Sequence, residues 1–109
     1  MGLTNTAKFT DEQNLIANMA KALAHPARIA ILQEIIKTNS CVCGDLVIEL
    51  PLAQATISQH LKELKSAGII KGTIEGTSVC YCINPENWTR IQTLLNNFFN
   101  HYNQEASCC

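Results

Sequence analysis

The 109-residue sequence predicts a mainly α-helical domain carrying a single β-hairpin. Three observations predict it. Apolar residues recur at helical spacing over Asp11–Leu23, from Ala27 to Ile36, over Gln54–Ala67 and from Trp88 to Tyr102. Two strand-like runs, Ile69–Ile74 and Ser78–Ile83, are joined by Glu75-Gly76-Thr77, a hairpin turn. The stretches between these segments are too short to be linkers, so residues 1–109 are expected to form one domain, with 1–10 and 103–109 as loose tails.

Thr10 and Gln13 have the spacing of a capping box and open the first helix, whose apolar positions are Leu15, Ile16, Met19, Ala20 and Leu23. His25-Pro26 then restarts the chain, because proline suits the first turn of a new helix. That second helix carries Ala27, Ile29, Ala30, Leu32, Ile35 and Ile36, apolar nearly all round, and is expected to be buried at the centre before ending at Asn39-Ser40. A short third helix runs from about Gly44 to Leu50 and is broken by Pro51. The fourth turns Ile57, Leu61 and Leu64 inward and stops at Gly68. Asn84 caps the last helix, with Pro85 at its first position. Its apolar residues Trp88, Ile91, Leu94, Leu95, Phe98, Phe99 and Tyr102 form a stripe wider than one small core needs. Helix, helix, short helix, helix, hairpin, helix is the order of a winged helix-turn-helix. A palindromic operator demands a dimer, so the last helix is expected to pair also with Asp11–Leu23 of a second subunit.

Composition excludes several classes. A hydrophobic fraction of 47% supplies a core and rules out a disordered chain. No cationic start leads into a long apolar run and no segment is long enough to span a bilayer, so a soluble, cytoplasmic protein without membrane contact is expected. A small thiol enzyme is disfavoured, because there is no Cys-x-x-Cys, no βαβ order and no evident base beside a thiol. The net charge of −1 lacks the broad basic footprint of a generic nucleic-acid binder. Cationic charge is local instead, with Lys62, Lys65 and Lys71 set against Glu63 alone between Gln54 and Lys71.

That local charge coincides with a polar helix face. Gln54, Ala55, Ser58, Gln59 and Lys62 lie away from Ile57, Leu61 and Leu64, and Thr56 and His60 belong to the same stretch. Short and amide-bearing side chains can approach base edges, glutamine matching adenine, while Lys62 and Lys65 suit phosphate, which positions without specifying. Lys71 and Thr77, near the hairpin, would meet the adjacent groove or backbone of double-stranded DNA.

His25-Pro26-Ala27-Arg28-Ile29-Ala30-Ile31-Leu32, the run Gln54 to Leu64, Ala67-Gly68-Ile69-Ile70 and the hairpin together resemble the ArsR/SmtB family of metal-responsive repressors. The resemblance covers roughly Ala20 to Pro85. It implies a homodimeric winged-helix repressor that leaves its operator when an inducer binds, with Gln54, Ala55, Ser58 and Gln59 where members contact bases. One departure stands out: many members have serine where Ala53 lies, and alanine cannot cap the reading helix.

Six cysteines fall in three close pairs, Cys41/Cys43, Cys80/Cys82 and Cys108/Cys109. Bridges within such pairs are strained or impossible, and thiolate chemistry is expected over a disulfide scaffold. Cys41-Val42-Cys43 resembles the thiol pair ahead of the third helix in members that sense arsenite, antimonite or soft divalent ions. Residues i and i+2 of a helix point apart, so sharing one ion requires an extended segment there, which Gly44 permits. The third cysteine that arsenite-responsive members carry one turn later is missing from Asp45-Leu46-Val47-Ile48. As(III) prefers three sulfurs, and Cys108 or Cys109 is the first candidate for the third. Cys80 and Cys82 are alternatives, since i and i+2 of a strand share a face, opposite Val79, Tyr81 and Ile83 on the core side, although they read first as small, tolerable strand residues. The family's zinc site across its last helices lacks its donors here, only His101 and Glu105 being available, and His25 and His60 read as structural. The sequence thus points to a repressor released by As(III) or Sb(III), with a thiol redox or persulfide sensor and a sensor of Cd/Pb-type ions as alternatives. No organic cofactor is expected.

Overall fold

The computed structural model describes residues 8–43, 50–76 and 78–102. They form α1 (Asp11–Leu23), α2 (Pro26–Thr38), β1 (Val42–Cys43), α3 (Gln54–Ser66), β2 (Ile70–Glu75), β3 (Ser78–Ile83) and α4 (Pro85–Asn100). The short helix expected over Gly44–Leu50 falls almost wholly outside the described residues, as do Thr77, Cys108 and Cys109.

Helix ends follow from the residues at them. At α1 the Thr10 hydroxyl accepts from the Gln13 backbone N–H (3.1 Å), and the Gln13 side-chain oxygen accepts from the Thr10 N–H (3.0 Å), a complete capping box. His25 opens α2 by accepting the Ala27 N–H on Nδ1 (3.1 Å), and Asn39 closes it in the left-handed region (φ 54°). Helix α3 starts at Ala53 with no side-chain cap. Its far end is a Schellman motif: Gly68 N–H donates to the Lys65 carbonyl and Ile69 N–H to that of Leu64, with Gly68 at φ +81°. Asn87 then fixes α4 against this corner, its side-chain amide donating to the Gly68 carbonyl at 2.9 Å.

The core is aliphatic and lies between α2, α3 and the sheet. Ile31, Leu32 and Ile35 meet Ile57, Leu61 and Leu64, with Ile69, Ile70 and Ala22 closing the gaps. Leu64 has no exposed surface, so Leu64→Ala is expected to cost about 2–5 kcal/mol through lost burial and the cavity left behind. Two expectations are corrected here. Helix α2 is not buried all round, since Ile29 and Ile36 are exposed on its outer side. On α1 the residue turned inward is Ala22, not Ala20, because the buried stripe runs through Met19 and Ala22.

The hairpin expected from the sequence is part of a three-stranded antiparallel sheet in the order β1-β3-β2. Residues Val42 and Cys43 form the added edge, facing Tyr81 and Cys80. Val42, Tyr81 and Ile83 pack on the core, as alternation demands. Val79 does not; it has run past the end of the core toward the hairpin tip and is exposed. None of the residues of α4 is fully buried, and Phe98, Phe99 and Tyr102 are exposed apolar groups at its C-terminal end. No described helix is long and apolar enough to cross a membrane.

Candidate nucleic-acid interface and thiol site

On α3, period 3.6 separates a buried stripe, Ile57, Leu61 and Leu64, from an exposed face holding Gln54, Ala55, Thr56, Ser58, Gln59, Lys62 and Lys65. Gln59 is not idle there: its amide Nε2 donates to a Glu63 carboxylate oxygen at 3.1 Å, one turn on. Lys65 leans toward the hairpin, its ammonium 3.4 Å from where a side chain on Gly72 would begin. Gly72 thus lets the lysine lie against the sheet. Lys71 is exposed on β2, so three cations line the step from α3 to the hairpin.

His60 departs from the expected set. It is 8% exposed, and its Nδ1 accepts a hydrogen bond from Arg28 Nε at 3.1 Å. Its ring also lies against that of His25, with centroids 4.3 Å apart. A ring so engaged stands on the inner side of α3 and is a packing residue rather than part of the exposed face. Desolvation, then the charges of His25 and Arg28, lower its pKa below the ordinary 6.5, with Glu63 opposing. The Arg28 guanidinium also donates to the Ala22 carbonyl (3.3 Å), so this cluster ties α1, α2 and α3 together. Spacing could not reveal it, because Arg28 and His60 are 32 residues apart.

The cysteines are rearranged relative to the close pairs of the sequence. Cys41 is bridged to Cys82 and Cys43 to Cys80, across strands and not within a pair, with Cα–Cα distances of 4.3 and 4.1 Å. The expectation of free thiols in two separate sites is corrected accordingly: Cys41, Cys43, Cys80 and Cys82 form one cluster. Extended backbone at Val42–Cys43 puts Cys41 and Cys43 on a common side, and the register sets them opposite Cys82 and Cys80. Cys80 is buried, Cys43 and Cys82 half-buried and Cys41 exposed, so the cluster opens to solvent at its Cys41 end. A cavity of about 480 Å³ adjoins that end, lined by Ile35, Ile36, Cys41, Cys82, Ile83 and Trp88 among others. As bonded, the four sulfurs hold one another, and no group of three or more His, Cys, Asp or Glu among the described residues is set to hold an ion. Once reduced, the same residues offer four soft donors, a set suited to thiophilic ions. On the far side of β3, Lys71 and Thr73 pair in register with Cys82 and Cys80.

Comparison with known proteins agrees with this architecture. The family model for bacterial regulatory proteins of the arsR family matches residues 25–71. The HTH-type transcriptional repressor SmtB of Mycobacterium tuberculosis is 43% identical over 63 residues, which are 58% of this chain and 46% of that protein. The chain therefore spans about half the length of that relative. The transcriptional repressor PagR of Bacillus anthracis is 32% identical over 80 residues, 73% of this chain and 80% of that one. Among solved structures, a homodimeric winged helix-turn-helix DNA-binding domain from Mycobacterium bovis, a possible ArsR-family regulator, superposes with a TM-score of 0.65 at 22% identity, covering 100% of this chain and 98% of that one. The fold is thus a winged helix-turn-helix, with β2–β3 as the wing. The chain belongs to the arsR family of bacterial regulatory proteins.

Proposed function

We propose that this protein is a homodimeric transcriptional repressor that binds operator DNA through α3 and the wing and is released when As(III) or Sb(III) binds its thiols. The carrying observation is the junction of the two halves: Cys41 and Cys43 lie on the chain leading to α3, and Cys80 and Cys82 lie on the wing. A ligand shared by them acts on both DNA-contacting elements at once. A few kcal/mol of differential binding there changes operator affinity many-fold.

Gln54, Ala55, Thr56, Ser58 and Gln59 are the proposed base-facing residues, with Lys62, Lys65 and Lys71 on phosphate. Thr77 belongs to the wing contact by its place in the sequence. Cys41 and Cys43 supply two sulfurs to the metalloid, and the third comes from Cys80 or Cys82. The tail cysteines Cys108 and Cys109, first choice on sequence grounds, are not needed for a three-sulfur set. Dimerisation is supported by the exposed Phe98, Phe99 and Tyr102 of α4 and by Phe9 ahead of α1, and by the homodimeric relative of the same fold. The two disulfides favour a second reading in the same class, a repressor released by thiol oxidation or persulfide.

DNase footprinting of the protein on DNA upstream of its own gene tests the proposal. Protection of two half-sites about 10 base pairs apart, or a multiple of that, is the expected result for a two-fold reader. Uniform or absent protection contradicts it.

A further inference from the structure

We propose that Arg28, acting through His60, is a positioning residue for α3, and that operator binding falls in mild acid because protons break this seating. The inference rests on α3 reading DNA and adds a regulation of that same surface. Ile57, Leu61 and Leu64 hold α3 by apolar burial, which is non-directional, and the start of the helix at Ala53 has no side-chain cap. Arg28 supplies direction. Its Nε donates to His60 Nδ1 at 3.1 Å, and its Nη1 donates to the Ala22 carbonyl at 3.3 Å. One guanidinium from α2 thus ties the inner side of α3 to the end of α1. His60 directly follows Gln59 and lies two residues from Ser58, so a change in how its ring is held moves the proposed base-facing residues with it.

The seating requires neutral rings. An imidazole accepts on Nδ1 only while its one proton is on Nε2, and an imidazolium has no acceptor nitrogen. Both rings here accept on Nδ1, His60 from Arg28 and His25 from the Ala27 N–H at the start of α2. Their centroids are 4.3 Å apart. A proton on His60 removes the Arg28 bond and sets two cations side by side. A proton on His25 uncaps α2 and puts positive charge at its N-terminus, where the helix dipole opposes it. The charged and titratable groups facing His60 are His25 and Arg28 from α2 and its cap, and Glu63 one turn on along α3. From α1 the Ala22 carbonyl, next in sequence to Lys21, faces the guanidinium. Glu63 favours the imidazolium, but it is exposed to solvent and engaged by Gln59. Burial first, then His25 and Arg28, hold the His60 titration below 6.5. The neutral, seated form therefore prevails at neutral pH and gives way on the acid side.

Fluorescence anisotropy of the reduced full-length protein on DNA upstream of its own gene, from pH 8 downward at constant ionic strength, tests this. Affinity should hold near neutrality and then fall below 6.5, by about tenfold per pH unit for each proton taken up. Added positive charge by itself draws a protein toward phosphate, so a flat or rising profile overturns the inference. His60→Asn keeps an acceptor near the Nδ1 position that does not titrate, and Arg28→Met removes the donor. Each variant should flatten the profile, and a wild-type slope in either overturns it. Histidine NMR separates seating from unfolding. Coupling is reciprocal, so operator DNA should move the His60 titration of the folded protein to lower pH; an unmoved or raised midpoint overturns the inference. Absence of specific binding at pH 8 sinks the repressor reading itself, whereas specific binding there with a flat profile sinks only the Arg28–His60 seating.

Discussion

Cys43 stands directly opposite Cys80, the two Cα atoms 4.1 Å apart across β1 and β3. The pairing fastens the chain that leads toward α3 to the central strand of the wing sheet. Those are the two elements proposed to touch DNA. A change of state at this one cross-strand contact is therefore proposed to act on both.

Ser58→Ala and Gln59→Ala are expected to weaken specific operator binding by about 1–3 kcal/mol each, or roughly five- to 150-fold. Gln59 must first leave Glu63, so Glu63→Ala is expected to strengthen binding slightly by freeing the amide and removing a like charge from phosphate. Fluorescence anisotropy on specific and scrambled duplexes measures both effects. Equal loss on the two duplexes would mean that these residues position the helix and do not read it.

The uncapped start of α3 gives a stability prediction. Ala53 leaves the first-turn N–H groups without a side-chain acceptor. Ala53→Ser should stabilise the fold by about 1 kcal/mol, read as a higher urea midpoint at unchanged slope. No shift would show that those amides are already satisfied.

The Arg28–His60 contact makes stability depend on pH. In the folded chain His60 accepts from Arg28 and its pKa is lowered, first by desolvation and then by His25 and Arg28. Below the ordinary 6.5 the unfolded chain binds the proton more readily than the folded one. This contribution is thus complete above 6.5 and is lost as the pH falls through the folded value. Urea unfolding under reducing conditions from pH 8 downward should lose stability in that window, and His60→Gln should flatten the loss. A profile identical in the variant would assign the pH dependence elsewhere.

The exposed end of α4 predicts the assembly. Phe99 is 66% exposed beside Phe98 and Tyr102. Phe99→Asp should shift the protein from dimer toward monomer in sedimentation and lower operator affinity along with it. A variant that remains dimeric would move the interface to another face.

Much of this was legible in the sequence because its causes are local. Thr10 with Gln13, Pro26, Gly68 and Asn84-Pro85 each fix a helix end through neighbours within four residues, and each end is found there. The exposed face of α3 followed from period alone. What could not be read depends on distant partners. The bridges join residues 41 and 37 apart, and β1 is too short to announce itself by alternation. Its strand character comes from β3, not from its own residues. His60 sits in a polar run, and only Arg28 and His25, brought in from α2 and its cap, make it a buried group.

The most direct test of the central claim is anisotropy of the reduced protein on its operator during titration with arsenite, for the wild type and for Cys41→Ser and Cys43→Ser. The account predicts that all three bind DNA alike and that arsenite releases only the wild type. Release of either variant at the wild-type arsenite concentration would contradict it, and would remove these thiols from the sensing site.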